Sequence, residues 1–178
     1  ISAHFEEKRG VWKKQRDFEI KAPTGSGKSL RIPLCSCKQK LVEGKILVVQ
    51  PRRVAARSLA RIASKFCNSE VGKEVGYHVR FDSRFSSATR IIYLTDGMIF
   101  RYLQNHESVK GVGLIIFDEF HERSLFMDAS LALAKHHLDC GKINARIIVT
   151  SATLDLEKIS RFLEASKALE IKTRSYPV

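Results

Sequence analysis

The sequence predicts an α/β fold in which one open, mainly parallel sheet is covered by helices on both faces. The strongest indication is a set of continuous apolar runs at 45–50, 112–117 and 146–150, which is typical of strands buried on both faces. Segments with apolar residues at helical spacing separate these runs, and such alternation is the pattern of a parallel sheet. A chain of 178 residues suits a single domain with a sizeable core.

The first half of the chain contains strands of two kinds. Residues 1–16 are polar and basic, and we treat them as an N-terminal extension. The first strand alternates apolar and charged residues, whereas the second is continuously apolar and ends at Pro51. The helix between them carries Pro33 near its first turns, where a missing N–H is tolerated. The predicted elements of this half are a strand at 17–22, a helix at 28–41, a strand at 45–50, a helix at 52–66 and strands at 75–81 and 90–94.

The second half continues the alternation of strand and helix. Asp96 is a suitable N-cap for the helix that follows it, since its carboxylate can accept from the first free N–H groups. No segment rich in glycine or proline divides the chain, so we expect one domain over 17–178. The predicted elements of this half are a helix at 96–105, a strand at 112–117, a helix at 126–138, a strand at 146–150, a helix at 156–163 and a short strand at 169–171.

The composition favours a polyanionic partner. The formal net charge is +12, and nucleic acid is the first candidate for a strongly basic protein. A generally basic, solvated surface is the alternative, because the lysines and arginines are spread along the whole chain. No apolar run approaches the ~20 residues that span a bilayer, so we do not expect a membrane as a partner.

The four cysteines, Cys35, Cys37, Cys67 and Cys140, lack the spacing of a metal site. They are also too few for a disulfide scaffold in a chain of this length. We therefore expect reduced, mostly buried thiols in a cytoplasmic protein. Since the chain begins at Ile1 rather than Met, we also expect it to be part of a longer protein.

The segment 22–29 (APTGSGKS) predicts a phosphate-binding loop between the first strand and the first helix. Its two glycines lack a Cβ, so the backbone can turn its N–H groups toward an anion at the helix start. Lys28 would reach the β- and γ-phosphates of a nucleotide, and the Ser29 hydroxyl would bind Mg²⁺. An ordinary Gly/Ser turn is the alternative, because Ala22 stands where the usual pattern has glycine.

An acidic pair, Asp118 and Glu119, follows directly after the apolar run 112–117. The carboxyl ends of parallel strands lie at one edge of a sheet, so this pair should reach the same edge as the phosphate loop. An aspartate there can hold Mg²⁺ through water, and an adjacent glutamate can activate the attacking water. The alternative is an acidic helix start, which the helix dipole favours.

Several other motifs admit two explanations. The segment 151–153 (SAT) follows a buried strand and could either hydrogen-bond His121 or cap the next helix. The adjacent pair His136 and His137 faces different directions on a helix, so an exposed polar face is favoured over a metal site. Three aromatic residues could stack on bases, but a place in the core is favoured for them, namely for Tyr77, Phe81 and Phe85.

Taken together and in this order, the motifs resemble the first RecA-like domain of superfamily 2 helicases. Within that group the resemblance is to the DEAH-box branch, whose first motif has alanine or glycine at the position of Ala22. Phe120 departs from D-E-A-H, and the variant is similar to the bacterial HrpB-type helicases. Residues 1–19 do not match, and 174–178 (RSYPV) resemble the link to a second RecA-like domain. The matching segments are 22–29 (APTGSGKS), 51–56 (PRRVAA), 75–81 (VGYHVRF), 95–98 (TDGM), 118–124 (DEFHERS) and 151–155 (SATLD).

The resemblance implies a three-layer RecA-like P-loop NTPase domain with Mg²⁺ and ATP at one edge of the sheet. Asp118 and Ser29 would hold the metal ion, the former through water. Glu119 would act on the lytic water, with Lys28 and His121 completing the catalytic set. The triphosphate would be bound by Thr24, Gly25, Ser26, Gly27, Lys28 and Ser29.

The same resemblance implies that nucleotide state is coupled to a nucleic-acid path. His121, Ser151 and Thr153 would carry the coupling. An exposed helix start is the alternative role for two of the arginines, but cations are disfavoured at a helix N-terminus. The backbone of an RNA strand would lie against Arg52, Arg53, Thr95, Asp96 and Gly97.

The function that follows is the nucleotide-binding half of an ATP-dependent RNA helicase, an ATP hydrolase acting on RNA or single-stranded nucleic acid. Its second partner would be the second RecA-like domain, without which we expect weak ATP binding and very slow hydrolysis. The alternative is a nucleic-acid-binding module with a degenerate ATPase site. A P-loop kinase or transporter ATPase gives no reason for the ordered arginine and hydroxyl motifs.

Overall fold

The computed structural model of the chain describes residues 17–21, 27–152, 156–163 and 168–170, and all structural statements concern these residues. They form one eight-stranded sheet in the order β4-β3-β5-β2-β6-β7-β1-β8, parallel except for the β3–β4 pair. The strands are β1 (Asp17–Lys21), β2 (Lys45–Gln50), β3 (Val75–Val79), β4 (Asp82–Arg84), β5 (Ile91–Thr95), β6 (Val112–Phe117), β7 (Arg146–Ser151) and β8 (Ala168–Glu170).

Helices lie on both faces of this sheet, as the sequence predicts. Two 3₁₀ helices, His106–Val109 and Phe120–Glu122, complete the described elements. The α-helices are α1 (Lys28–Lys38), α2 (Arg53–Phe66), α3 (Asp96–Gln104), α4 (Leu125–Asp139) and α5 (Leu156–Leu163).

The core is divided by the sheet into two apolar layers. Successive residues of β2 alternate between them: Ile46 and Val48 face the layer that contains α1 and α2, whereas Leu47 and Val49 face the layer that contains α3, α4 and α5. The alternation follows from the two-residue period of a strand. Because both layers are apolar, nearly every residue of the central strands is buried, which explains why these strands are continuous apolar runs.

The strand order brings the candidate motifs to one edge. The register pairs Gln50 with Thr95 and Lys21 with Ser151, so β2 ends level with β5 and β1 ends level with β7. Asp118 follows β6, which lies between β2 and β7 in the sheet. The carboxyl ends of five neighbouring strands therefore present the segments that the sequence analysis singled out.

Most predicted elements are confirmed within a few residues, and the region 75–81 is the main correction. The predicted single strand ends at Val79, and the chain turns through Arg80 and Phe81 into the antiparallel β4. Phe81 has a φ of 67°, a left-handed conformation that few bulky residues adopt. This turn places Phe81 in solvent with 89% of its surface exposed, and Phe85 is also exposed, so a core position is wrong for both; Tyr77 is buried as predicted.

Three local predictions also need correction. Asp96 is the first helical residue and not the N-cap, a position that Thr95 occupies. His137 is buried rather than exposed, and its Nε2 lies 2.8 Å from the carbonyl oxygen of Leu103 because α3 packs against α4. The cysteines are free, as predicted, but Cys140 is exposed and the other three are only half-buried.

Two kinds of feature are absent from the described residues. These residues contain no group of three or more histidine, cysteine, aspartate or glutamate side chains arranged to hold a metal ion. None of the described helices has the length and apolar character that crossing a membrane requires.

Candidate active site

The first helix begins at the candidate phosphate-binding residues. Gly27 precedes α1 with a φ of 75°, and its carbonyl oxygen accepts from the N–H of Arg31 at 2.9 Å. Lys28, the first helical residue, is almost fully buried, and its Nζ lies 2.9 Å from Oε1 of Glu119. The structure therefore brings the lysine and the acidic pair together at one edge, as the sequence predicts. Thr24, Gly25 and Ser26 lie outside the described residues.

The first turn of α1 is fixed to the sheet by a tyrosine. The hydroxyl of Tyr93 in β5 donates to the carbonyl oxygen of Ser29 over 3.0 Å. Burial raises the pKa of Tyr93 far above its usual value, so the hydroxyl keeps its proton and remains a donor. Sequence reasoning missed Tyr93; the available signal is a tyrosine inside an otherwise aliphatic strand, since a buried tyrosine hydroxyl usually has a hydrogen-bond partner.

Asp118 is a buried carboxylate held by three donors. Its Oδ2 accepts from Nε2 of Gln50 at 2.6 Å, and its Oδ1 accepts from the N–H of Glu119 at 3.0 Å and from the hydroxyl of Thr150. Donors of this kind compensate for the loss of water around the charge. Gln50 and Thr150 were also missed, although each is a polar residue at the end of an apolar strand.

The hydrogen bonds of Asp118 test whether the residue suits a hydrated metal ion. A carboxylate offers about four acceptor directions, two on each oxygen. Oδ1 uses both of its directions, whereas Oδ2 accepts from Gln50 only, among the described residues. One acceptor direction on Oδ2 therefore remains, which matches a single contact to a water of a hydrated divalent cation.

The acidic segment is held in an unusual backbone conformation. Glu119 and Arg123 have φ values of 51° and 44°, and the 3₁₀ helix Phe120–Glu122 lies between them. A left-handed conformation is strained for a non-glycine residue and persists only where the surrounding structure holds it. Phe120, the departure from D-E-A-H, is buried in the α3/α4/α5 layer, where its ring packs edge-on against Phe117 at 6.4 Å.

His121 lies between the acidic pair and the strand β7. Its Nε2 is 3.4 Å from Oε2 of Glu119, and its Nδ1 accepts from the N–H of Ala152 over 3.5 Å. With Nδ1 as acceptor, the proton of a neutral ring is on Nε2 and points to Glu119. Ser151 is buried at the end of β7, and Thr153 lies outside the described residues.

A groove lies beside this site at the same edge. It encloses about 550 Å³ and contains four of the five candidate nucleic-acid residues. Three arginines contribute positive charge, and two of them, Arg80 and Arg101, were missed by the sequence analysis. The residues that form it are Pro51, Arg53, Arg80, Thr95, Asp96, Gly97, Met98, Phe100, Arg101, Gln104 and Phe126.

Two contacts join the acidic segment to the groove and to Arg52, which lies between the groove residues Pro51 and Arg53. Arg52, the candidate that does not line the groove, donates from Nε to Oε2 of Glu122 over 3.2 Å. The hydroxyl of Ser124 donates to Oδ2 of Asp96 and also accepts from the N–H of Met127 at 3.0 Å, which caps α4. The first residues of α3 and α4 are thereby held together next to the candidate catalytic residues.

Comparison with known proteins agrees with this arrangement. The sequence model of the DEAD/DEAH box helicase family matches residues 9–162. The chain is similar to the ATP-dependent RNA helicase HrpB of Escherichia coli (36% identity over 159 residues, 89% of this chain and 20% of that protein). It is also similar to the human ATP-dependent RNA helicase DHX33, at 39% identity over 87% of this chain and 23% of that protein.

A comparison of structures gives the same result. The crystal structure of the E. coli DEAH/RHA helicase HrpB superposes on 99% of this chain and 23% of that one, with a TM-score of 0.90 and 34% identity. The sheet, helices and order of elements are therefore those of a helicase RecA-like domain. The chain spans about a fifth of the length of the curated relatives that it matches.

Proposed function

The chain belongs to the DEAD/DEAH box helicase family, and on that basis we propose that residues 17–178 are the first RecA-like domain of an ATP-dependent RNA helicase. Residues 1–16 would be an extension before it. The observation that carries the proposal is the meeting of Lys28, Glu119 and Asp118 at one edge of the sheet, since a P-loop NTPase requires a phosphate-binding lysine next to acidic residues for metal and water.

The start of α1 suits an anion. Gly27 makes no side-chain cap, and among the described residues the first helical turn contains no acidic residue. The positive end of the helix dipole therefore favours phosphate oxygens at this point. The described part of the loop, Gly27 to Ser29, would bind the triphosphate together with Thr24, Gly25 and Ser26.

Lys28 and Glu119 would exchange partners when a nucleotide binds. The ammonium group of Lys28 would turn from Oε1 of Glu119 to the phosphates, which carry more negative charge. Glu119 would then be free to accept the proton of the attacking water, with His121 beside its second oxygen. The pair thus supports a site in which nucleotide binding itself releases the base.

Mg²⁺ would be held by Asp118 through water and by the hydroxyl of Ser29. When bound, it neutralises charge on the phosphates. The acceptor direction on Oδ2 of Asp118 that no described residue occupies supports this assignment.

RNA or another single strand would lie in the groove beside the site. Arg53, Arg80 and Arg101 give it positive charge, and contacts to phosphates carry no sequence preference. Arg52 would join these contacts on leaving Glu122. The two sites would be coupled through the contacts from Arg52 to Glu122 and from Asp96 to Ser124, together with His121, Ser151 and Thr153.

A second RecA-like domain would supply the arginines that complete the ATPase site. We also propose a cytoplasmic location for the complete protein.

Single-turnover hydrolysis of radiolabelled ATP tests the proposal on this chain. We expect slow, Mg²⁺-dependent phosphate release that falls at least about 10²-fold in Glu119→Gln, because general-base catalysis contributes typically 10²–10⁴-fold. Near-full turnover without added domains would contradict the expected need for a second domain. Nucleic-acid binding with neither ATP binding nor hydrolysis would instead support a binding module with a degenerate ATPase site.

A further inference from the structure

The outward side of α2 carries two parallel rows of side chains. Residues at intervals of four are cationic, and each is followed by a residue that is apolar or, at Ser58, small and polar. Four residues correspond to slightly more than one helical turn, so each row winds slowly around the helix with a rise of about 6 Å per step. The cationic row is Arg53, Arg57, Arg61 and Lys65, and the second row is Val54, Ser58, Ile62 and Phe66.

Three of the four large apolar residues of α2 face solvent, and only Leu59 packs against the core. The side that packs on the sheet is formed mainly by small residues, Ala56, Ala60 and Ala63. Val54, Ile62 and Phe66 are 74%, 43% and 62% exposed. A helix that buries alanines and exposes large apolar residues has the character of a binding surface.

The cationic row has free charge at its far end. Arg57 is paired with Asp82, whose Oδ2 lies 2.5 Å from its guanidinium nitrogen. Arg61 and Lys65 are exposed, and no carboxylate of the described residues lies within ion-pair distance of either. These two cations and Phe66 beside them form what we call the distal end of α2.

The row is continuous with the groove. Arg53 lines the groove and is also the first residue of α2. From Arg53 to Lys65 the helix extends about 18 Å at 1.5 Å per residue. A strand lying in the groove therefore meets the row at its first cation and can follow it away from the candidate active site.

We propose that α2 continues the path of a single strand of nucleic acid beyond the groove, with phosphates on Arg61 and Lys65 and a base against Phe66. The inference rests on the proposed function of the groove. A single strand presents phosphates and unpaired bases side by side, as the two rows of α2 present cations and apolar side chains. Base stacking on an aromatic ring beside cations is a common mode of single-strand binding. A duplex keeps its bases paired inside the helix, so no base would contact the second row of α2.

Oligonucleotides of two lengths distinguish binding at the distal end of α2 from binding in the groove. Fluorescein-labelled oligouridylates of about 6 and about 14 nucleotides bracket typical single-strand site sizes. Binding would be followed by fluorescence anisotropy over a series of salt concentrations, for the chain and for Arg61→Ala/Lys65→Ala. Lys142→Ala/Lys158→Ala is the matched control, because it removes the same charge at two exposed positions, one in the loop before β7 and one in α5, that also have no carboxylate of the described residues within ion-pair distance. Circular dichroism checks that each variant is folded.

For the longer oligomer we expect the salt slope to fall by about 1.4 in Arg61→Ala/Lys65→Ala, because each phosphate contact of a single strand contributes about 0.7. Phe66→Ala should weaken binding of that oligomer about five-fold or more. The short oligomer and the control should be unaffected. Equal slopes for chain and variant on the long oligomer would overturn the inference but leave the groove intact, whereas absence of binding to both oligomers would overturn the proposed function as well. If these substitutions abolished binding of a polyglutamate peptide but left RNA binding unchanged, that result would contradict a nucleic-acid path and indicate an acidic protein partner.

Discussion

Lys28 and Glu119 form an ion pair at the edge of the sheet, with 2.9 Å between Nζ and Oε1 and the lysine almost wholly buried. The residue expected to bind phosphate is therefore paired with the residue expected to activate water. Removing one partner of a buried pair leaves an uncompensated charge. The pair should hold both groups in place until a triphosphate replaces the carboxylate.

Replacing Glu119 by glutamine tests this exchange. Glu119→Gln removes the charge that competes with phosphate for Lys28, so we expect ATP to bind at least as tightly as to the unmodified chain, while hydrolysis is lost. Isothermal titration calorimetry measures the first effect, and single-turnover phosphate release measures the second. Weaker ATP binding together with unchanged hydrolysis would show that the pair has no such role.

Thr150 should contribute more to stability than an ordinary buried threonine, because its hydroxyl donates to the carboxylate of Asp118. Hydrogen bonds to charged groups contribute about 1.5–3 kcal/mol, against about 0.5–1.5 kcal/mol for neutral partners. We expect Thr150→Val, which loses the hydroxyl, to lower the free energy of unfolding by more than Thr150→Ser. The serine variant keeps the hydroxyl and loses only a buried methyl group, which costs about 0.8 kcal/mol. Urea unfolding curves compare the two, and an equal or smaller loss for Thr150→Val would contradict the prediction.

Glu122 should act as a competitor for Arg52. The pair is solvent-accessible, and such pairs contribute only about 0–1 kcal/mol to stability. Glu122→Gln should therefore leave the unfolding midpoint almost unchanged but release Arg52 for phosphate. Anisotropy titrations with single-stranded RNA should show tighter binding and a salt slope larger by about 0.7. Unchanged or weaker binding would mean that Arg52 does not reach the strand.

His78 should make stability depend on pH. Burial, and then the nearby charge of Arg101, lowers the pKa of His78 below 6.5. The unfolded chain therefore binds a proton more readily than the folded chain, so the free energy of unfolding rises with pH between the lowered pKa and about pH 6.5. This contribution to stability should be fully present above about pH 6.5. It should be lost as the pH falls through the lowered pKa of His78. His78 also lies 2.5 Å from the hydroxyl of Tyr102, joining β3 to α3.

Urea unfolding at about pH 7.5 and about pH 5.5 measures this dependence. His78→Phe keeps a ring beside Phe85 and Tyr102 and should reduce the difference between the two pH values. His136→Gln, at an exposed position, is the control and should keep it. An unchanged difference in His78→Phe would show that another group is responsible.

The sequence was sufficient to predict the helices and strands and the edge of the sheet at which the candidate motifs meet. Continuous apolar runs at β2, β6 and β7 are a strong signal, because a strand buried on both faces has no polar side. The parallel order then predicts that Lys28 and Asp118 lie at one edge of the sheet. Both conclusions depend on local patterns and a general rule of sheet topology.

The parts that could not be predicted depend on contacts between distant segments. Nothing in the sequence marks the turn at Phe81, which contains neither glycine nor proline. Two of the three donors to Asp118 are Gln50 and Thr150, which belong to two other strands, so only the register of the sheet reveals them. The burial of His137 likewise depends on how α4 packs against α3. Side-chain partners at such separations are set by packing rather than by local spacing.

The central claim is that Lys28 binds the phosphates of a nucleotide at this edge. The direct measurement is an equilibrium titration with a fluorescent ATP analogue in the presence of Mg²⁺, on the chain, on Lys28→Ala and on Lys38→Ala, an exposed lysine at the end of the same helix. Circular dichroism would confirm that both variants are folded, with Lys28→Met as the volume-conserving substitute. We predict that binding is lost in the Lys28 variants and retained in Lys38→Ala, and equal binding by all of them would contradict the account.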